Sequence, residues 1–307
     1  MKTIFRHFTF GFGLIGFAVT AHAQPAPTKS SAPALGTLRV AVVQMRSEPD
    51  VKANVAKVIR HLSALAAKGV QVVAFPECAL SNYDPAAVHV SAETLVAAEN
   101  EVAAACRQSA LCAIVGTTQQ RGGQAFNQAL IIDAQGRIMA RYDKVYLTDL
   151  ERRWGFTSGT GLPPVFPVAG VQASIMICHD SRFPELVRLP VLAGARVIFY
   201  VSHEAGIIKE SKMVPYRAQV QARAVENDVF VVHANAPAND VRTGSHGQSR
   251  IVQADGNIMQ EAGQLQEEVL VADLNLADAT AERARESMEG PFGDWWREGL
   301  KRVPIVQ

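Results

Sequence analysis

Three side chains of this sequence are of the types that acyl transfer needs, and each stands at the end of an expected strand. "VVAFPE" ends on Glu77, "RIMARYDK" on Lys144 and "SIMIC" on Cys178. A thiol attacks a carbonyl carbon best as thiolate, yet is mostly protonated at neutral pH. A neighbouring carboxylate can take the proton as general base. A fixed ammonium can meet the negative charge that develops on the carbonyl oxygen, an effect of roughly 2.7–4 kcal/mol for one donor. Singly, each residue has a plainer account: Glu77 as a solvated loop acid, Lys144 as a surface lysine, Cys178 as a small core residue. Their joint occurrence at strand ends favours chemistry, because ligands of α/β sheets sit beyond the carboxyl ends of strands.

Elements able to hold such ends alternate along the chain. Val-rich runs at 38–45, 70–77, 111–118 and 171–178 are expected to be strands, as are 195–202, 228–236 and 267–276. Helical spacing of Val51, Val55, Val58, Ile59, Leu62 and Leu65 predicts a helix that stops at Gly69. Further helices are expected over 92–110, over 183–194 with an interruption at Pro190, and over 211–227. "DAQG" and "ADGN" mark hairpin turns. The pattern predicts an α/β domain with helices packed on sheets, and the continuous apolar strands predict sheets covered on both faces. There is no GxGxxG after the first strand and no GxxxxGK[ST], so nucleotide binding has little support.

The N-terminus has Lys2 and Arg6, an apolar run and then "AHA" ending at Ala23. That is the layout of a secretory signal peptide over residues 1–23, with a flexible lead-in at 24–36. The run, about 13 residues, is short for a membrane span. The expected product is periplasmic or secreted, with no membrane association after cleavage. The formal charge is +1, and becomes −1 without Lys2 and Arg6. With no long basic run, nucleic acid is not an expected partner. Export also favours a disulfide between Cys106 and Cys112, two of the four cysteines. His203, His233 and His246 lack metal-ligand spacing, so no metal or other cofactor is expected.

Several ordered segments together resemble the nitrilase, or carbon–nitrogen hydrolase, superfamily. "VVAFPECALSNYDP" is similar to its first catalytic segment, "RYDKVYLTDLERRWGF" to its lysine segment and "ICHDSRFPELVRLPVLAGARVIF" to its nucleophile segment. "YRAQVQARAVENDVFVVHANA" and "GQSRIVQADGNIMQEAG" resemble later signatures. The resemblance implies a four-layer αββα sandwich over residues 37–285 and a homodimer or higher homo-oligomer. The tail at 286–307, with "GDWW", is expected at that interface. It implies Glu77 as base, Lys144 as the cation beside the oxyanion, Cys178 as nucleophile, and the His179 N–H as part of the oxyanion hole. Glu151 matches a second glutamate that orients the lysine and substrate, although "DLERR" could also simply open a solvated helix.

Tyr83, Trp154, His203 and Glu204 fall in segments expected to line a substrate pocket, and His179 is expected at its rim. His179 follows Cys178 directly, and neighbours on a strand point to opposite faces, so a Cys–His pair is disfavoured. Arg182 could bind a substrate carboxylate or form a salt bridge with Glu185. "CHDSRFPE" is closer to the amidase and carbamoylase pattern than to nitrilases, whereas "ERRWG" resembles a nitrilase segment. The expected reaction is hydrolysis of a small-molecule amide or N-carbamoyl compound. The alternatives are a small nitrile as substrate, or a non-catalytic binding protein on the same fold.

Overall fold

The computed structural model describes residues 36–205, 210–239 and 243–307. The signal-peptide and lead-in expectations therefore lie outside the described residues, save for Gly36. In chain order the elements begin with β1 (Thr37–Gln44), α1 (Val51–Ala66), β2 (Val72–Ala74) and α2 (Ala92–Ser109). β3 (Cys112–Arg121), β4 (Gln124–Ile132), β5 (Ile138–Asp143), α3 (Asp149–Trp154) and β6 (Phe166–Val168) follow. Next come β7 (Val171–Ile177), α4 (Glu185–Leu192), β8 (Val197–Ser202), α5 (Glu210–Val225) and β9 (Phe230–Asn235). The chain closes with β10 (Arg250–Val252), β11 (Ile258–Glu261), β12 (Glu268–Asn275), α6 (Glu282–Glu286) and α7 (Gly293–Leu300).

Two six-stranded mixed sheets result, ordered β12-β1-β2-β3-β4-β5 and β11-β10-β9-β8-β7-β6. Each has a parallel centre, β1-β2-β3 and β7-β8-β9, flanked by antiparallel strands. Alternation along the strands sorts side chains into layers. Val40 and Val42 of β1 join Ile175, Ile177, Phe199 and Val232 in the core between the sheets. Ala41 and Val43 face the other way, onto Val55, Val58 and Leu62 of α1 and Val102 of α2. On the outer face of the second sheet, Met176, Ile198 and Tyr200 pack on Val187 of α4 and Val220 of α5. This is the expected αββα sandwich.

Local details differ from the sequence reading. β2 spans only three residues, because the chain leaves the sheet at Phe75 to carry Glu77 toward β8. α4 runs through Pro190 without interruption. In a two-turn helix proline costs one backbone bond, and buried Leu186, Val187, Leu189 and Val191 offset it. Cys106 and Cys112 are free thiols, not a disulfide. The first sheet separates them: Cys106 packs with α1 and α2, whereas Cys112 faces the inter-sheet core. The C-terminal tail folds back on its own domain. Trp296 and Leu300 pack against the outer core of the second sheet, and the Val165 N–H donates to the Pro304 carbonyl while its own carbonyl accepts from the Val306 N–H. Trp295 and Phe292 stay exposed.

Candidate active site

Glu77, Lys144 and Cys178 leave different strands yet converge. Glu77 follows β2 in a loop pressed against β3. A Cβ on Gly116 of β3 would stand 2.2 Å from the Pro76 carbonyl oxygen and 2.7 Å from the Glu77 Cα. Only glycine permits that approach. Lys144 follows β5; its N–H donates to the Asn127 carbonyl at 2.8 Å, and its own carbonyl accepts from Gly159. Cys178 directly follows β7 and opens a 3-10 turn over Cys178–Arg182, with φ of 44° at Cys178 itself. A positive φ is uncommon outside glycine. The turn aims the thiol away from the strand. His179 is therefore on this turn, not on a strand, and the alternating-face reason against a Cys–His pair does not apply. His179 is half-buried, with its ring edge toward Phe183.

The Lys144 ammonium lies 2.7 Å from Glu77 Oε1 and 2.8 Å from Glu151 Oε1, and all three side chains are fully enclosed. The other oxygens are also bonded. Glu77 Oε2 accepts from the His203 N–H at 2.7 Å. Glu151 Oε2 accepts from the Thr148 N–H at 2.7 Å and hydroxyl at 2.9 Å. Thr148 caps α3 and Glu151 answers it in a reciprocal capping box. Glu151 stands in the first turn of α3, as the plainer account had it, but its side chain is buried against the lysine rather than solvated.

Charge in this enclosure follows from burial set against proximity. Burial raises the Glu77 pKa, and Lys144 only partly opposes it, which makes Glu77 a better proton acceptor than a free carboxylate. Burial also works against the charge of Glu151, but Lys144 and the Thr148 N–H outweigh it and hold its pKa below the ordinary value. For Lys144, burial is overcome by the negative charge of Glu77 and Glu151, so the ammonium persists. Burial and Glu77 push the Cys178 thiol well above its ordinary value. The resting thiol is therefore protonated, and attack needs a base.

Tyr83 stacks on His203 with ring centroids 4.5 Å apart and meets Trp154 edge-on at 5.1 Å. The three line a cavity of about 420 Å³ together with Arg46 and Asn82. Burial and Lys144 push His203 down to about 4, so its ring is neutral near pH 7. Glu204 does not line this cavity. It is enclosed, bonded to the Tyr200 hydroxyl, with His246 Nε2 at 2.8 Å. The Tyr200 hydroxyl also lies 3.1 Å from the Cys178 carbonyl, so Glu204 supports the nucleophile turn rather than the pocket wall. Arg182 is exposed, with its guanidinium 5.3 Å from the Tyr216 ring centroid. The ion pair to Glu185 is absent among the described residues.

Three contributors escaped the sequence reading. Asn127 donates to both Glu77 and Glu151, and its only signal was a polar residue inside the apolar run of β4. Thr148 was visible as T-x-x-E. Asp180, fully buried, accepts from the Tyr146 N–H at 2.8 Å and the Tyr142 hydroxyl at 2.9 Å, and so ties the nucleophile turn to the lysine segment.

Known proteins share this arrangement's frame. Residues 39–284 match the family model described as Carbon-nitrogen hydrolase. "Hydrolase in agr operon" of Staphylococcus aureus is 33% identical over 167 residues, covering 53% of this chain and 61% of that protein. The chain thus spans about three-fifths of that relative's length. 2-Oxoglutaramate amidase of Bacillus subtilis is 26% identical over 223 residues, covering 72% of this chain and 83% of that one. A solved variant of the Nesterenkonia sp. AN1 amidase, in complex with butyramide, is 27% identical. It superposes with a TM-score of 0.72, covering 82% of this chain and 96% of its own. By the extent of the family match, the sandwich and the strand-end acid, lysine and thiol, the chain belongs to the carbon–nitrogen hydrolase family of the nitrilase superfamily.

Proposed function

We propose that the protein hydrolyses the amide bond of a small molecule through a thioester on Cys178. The observation that carries the reading is one buried ammonium shared by two carboxylates, in an enclosure whose charges also act on Cys178. Cys178 Sγ attacks the amide carbon while its proton passes to Glu77. The carbonyl oxygen gains negative charge and is met by Lys144 and the His179 N–H. Collapse breaks the C–N bond, Glu77 returns the proton to the departing amine, and a thioester remains. Water then attacks the thioester, again losing a proton to Glu77, and the carboxylic acid leaves with Cys178 restored as thiol. Lys144 keeps its proton throughout.

An amide is favoured over a nitrile by the amidases among the relatives and by the "CHDSRFPE" sequence. Tyr83, Trp154 and His203 are proposed to enclose the acyl group, and Arg182 to meet a carboxylate on carboxylated or N-carbamoyl substrates. Export to the periplasm and homodimer formation remain part of the proposal on the sequence grounds given above. Ammonia release from a panel of primary amides, nitriles and N-carbamoyl amino acids tests it. Turnover of amides that is lost in Cys178→Ala is the expected result. Turnover of nitriles alone, or of none of the panel, would overturn it.

A further inference from the structure

We propose that Asn127 is a positioning residue: its single side-chain amide clamps the Glu77 and Glu151 carboxylates at a fixed separation around the Lys144 ammonium, and so sets where the base stands. This rests on the reading of Glu77 as base given above.

Asn127 sits within β4 and is 1% exposed. Its Nδ2 donates to Glu77 Oε1 at 2.6 Å and to Glu151 Oε1 at 2.7 Å. These are the same two oxygens that Lys144 Nζ holds. Lys144 Nζ, the two oxygens and Asn127 Nδ2 therefore close a four-atom ring, with nitrogen donors and carboxylate acceptors alternating. The backbone carbonyl of Asn127 also accepts from the Lys144 N–H at 2.8 Å. One residue thus registers the lysine through its backbone and both acids through its side chain.

The orientation of the amide is fixed by its surroundings. Ionised carboxylates only accept, so turning the amide over would set Oδ1 against two carboxylate oxygens. As placed, Oδ1 instead faces the Cys78 thiol at 3.7 Å, a weak donor with no evident part in the chemistry. This gives the buried Cys78 a purpose: it backs the clamp.

Two carboxylates that share one ammonium repel each other, and each lost donor leaves a buried oxygen less satisfied. Without the clamp, both acids would bind a proton more readily, in keeping with the lowering that Asn127 exerts on each. The other groups that face Glu77 are Lys144, Glu151, Tyr83, Cys78 and Cys178, together with the His203 N–H. Asn127→Leu alters none of these groups; it roughly keeps the side-chain shape and removes both donors.

The test is the pH dependence of Cys178 alkylation by 2-iodoethanol, a neutral reagent with no amide, located by peptide mapping, in wild type and Asn127→Leu. It needs no amide substrate. Alkylated wild type that hydrolyses no amide would therefore count against the proposed function and leave this inference standing. The acid limb of the Asn127→Leu profile should move up by about one pH unit. That makes alkylation roughly tenfold slower at low pH, with recovery toward the wild-type rate in alkali. Superimposable profiles, or an equal loss at every pH, would overturn the proposal. Should Asn127→Leu fail to fold, Asn127→Ser is read in the same way, since one hydroxyl hydrogen can serve only one carboxylate. Failure of both variants to fold would make Asn127 a residue of the fold alone and equally overturn it.

Discussion

Replacing Lys144 by methionine keeps an unbranched side chain, one heavy atom shorter, and deletes its charge. The ammonium lies 2.7 and 2.8 Å from two carboxylates that are themselves 0% exposed, so no solvent can take its place. Removing one member of a buried ion pair typically costs about 3–5 kcal/mol, because the remaining charge is stranded. Here two are stranded. Protonation of Glu77, whose pKa burial already raises, relieves part of the cost. Lys144→Met is therefore expected to lose about 3 kcal/mol, read from the urea midpoint at unchanged slope. Adding Glu151→Gln removes one stranded charge while leaving an acceptor for the Thr148 cap, and should restore roughly half of that loss. Activity should not follow stability. Loss of the oxyanion-side cation should lower kcat by about 10²–10³ in single and double variants alike. A Lys144→Met variant less than 1 kcal/mol below wild type, or a double variant no more stable than the single, would refute this view of the cluster.

Glu77→Gln should lower kcat by about 10²–10⁴ with little change in KM, since substrate binding does not need the base; steady-state kinetics decide this, and near-normal kcat would count against Glu77. Gly116→Ala should lower activity and destabilise by about 1–3 kcal/mol, because the new Cβ meets the Pro76 carbonyl at 2.2 Å and displaces the Glu77 loop. Asp180 is pushed up to about 7, chiefly by burial, so the fold favours its neutral form. Its contribution to stability is full below about pH 4 and is lost as pH rises to about 7, at about 1.4 kcal/mol per unit. Asp180→Asn should flatten that fall in denaturation measured across this range, and an unchanged curve would show Asp180 to be ionised throughout.

The parts of the site legible in the sequence were those written in local pattern. Cys178 follows a strand whose apolar run is unmistakable, Lys144 follows the second strand of the hairpin marked by "DAQG", and Glu77 follows a Pro that ends an apolar run. The sandwich was legible from the alternation of strands and helices together with the family resemblance. What stayed hidden depends on neighbours distant in sequence. Asn127 bonds Glu77 from 50 residues away, and the His203 N–H does so from 126. No spacing rule reaches that far. The disulfide expectation failed for a related reason: Cys106 and Cys112 are close along the chain, but a helix-to-strand turn carries them to opposite faces of a sheet. Glu204 falls in a segment expected to line the pocket, while its side chain turns to Tyr200 and His246.

The most direct test of the central claim is acid-quench mass spectrometry of the protein mixed with primary amides such as butyramide. The account predicts an added acyl group on the Cys178 peptide alone, formed together with one equivalent of ammonia and absent in Cys178→Ala. Amide hydrolysis that proceeds in Cys178→Ala, or an acyl group found on any other residue, would contradict it.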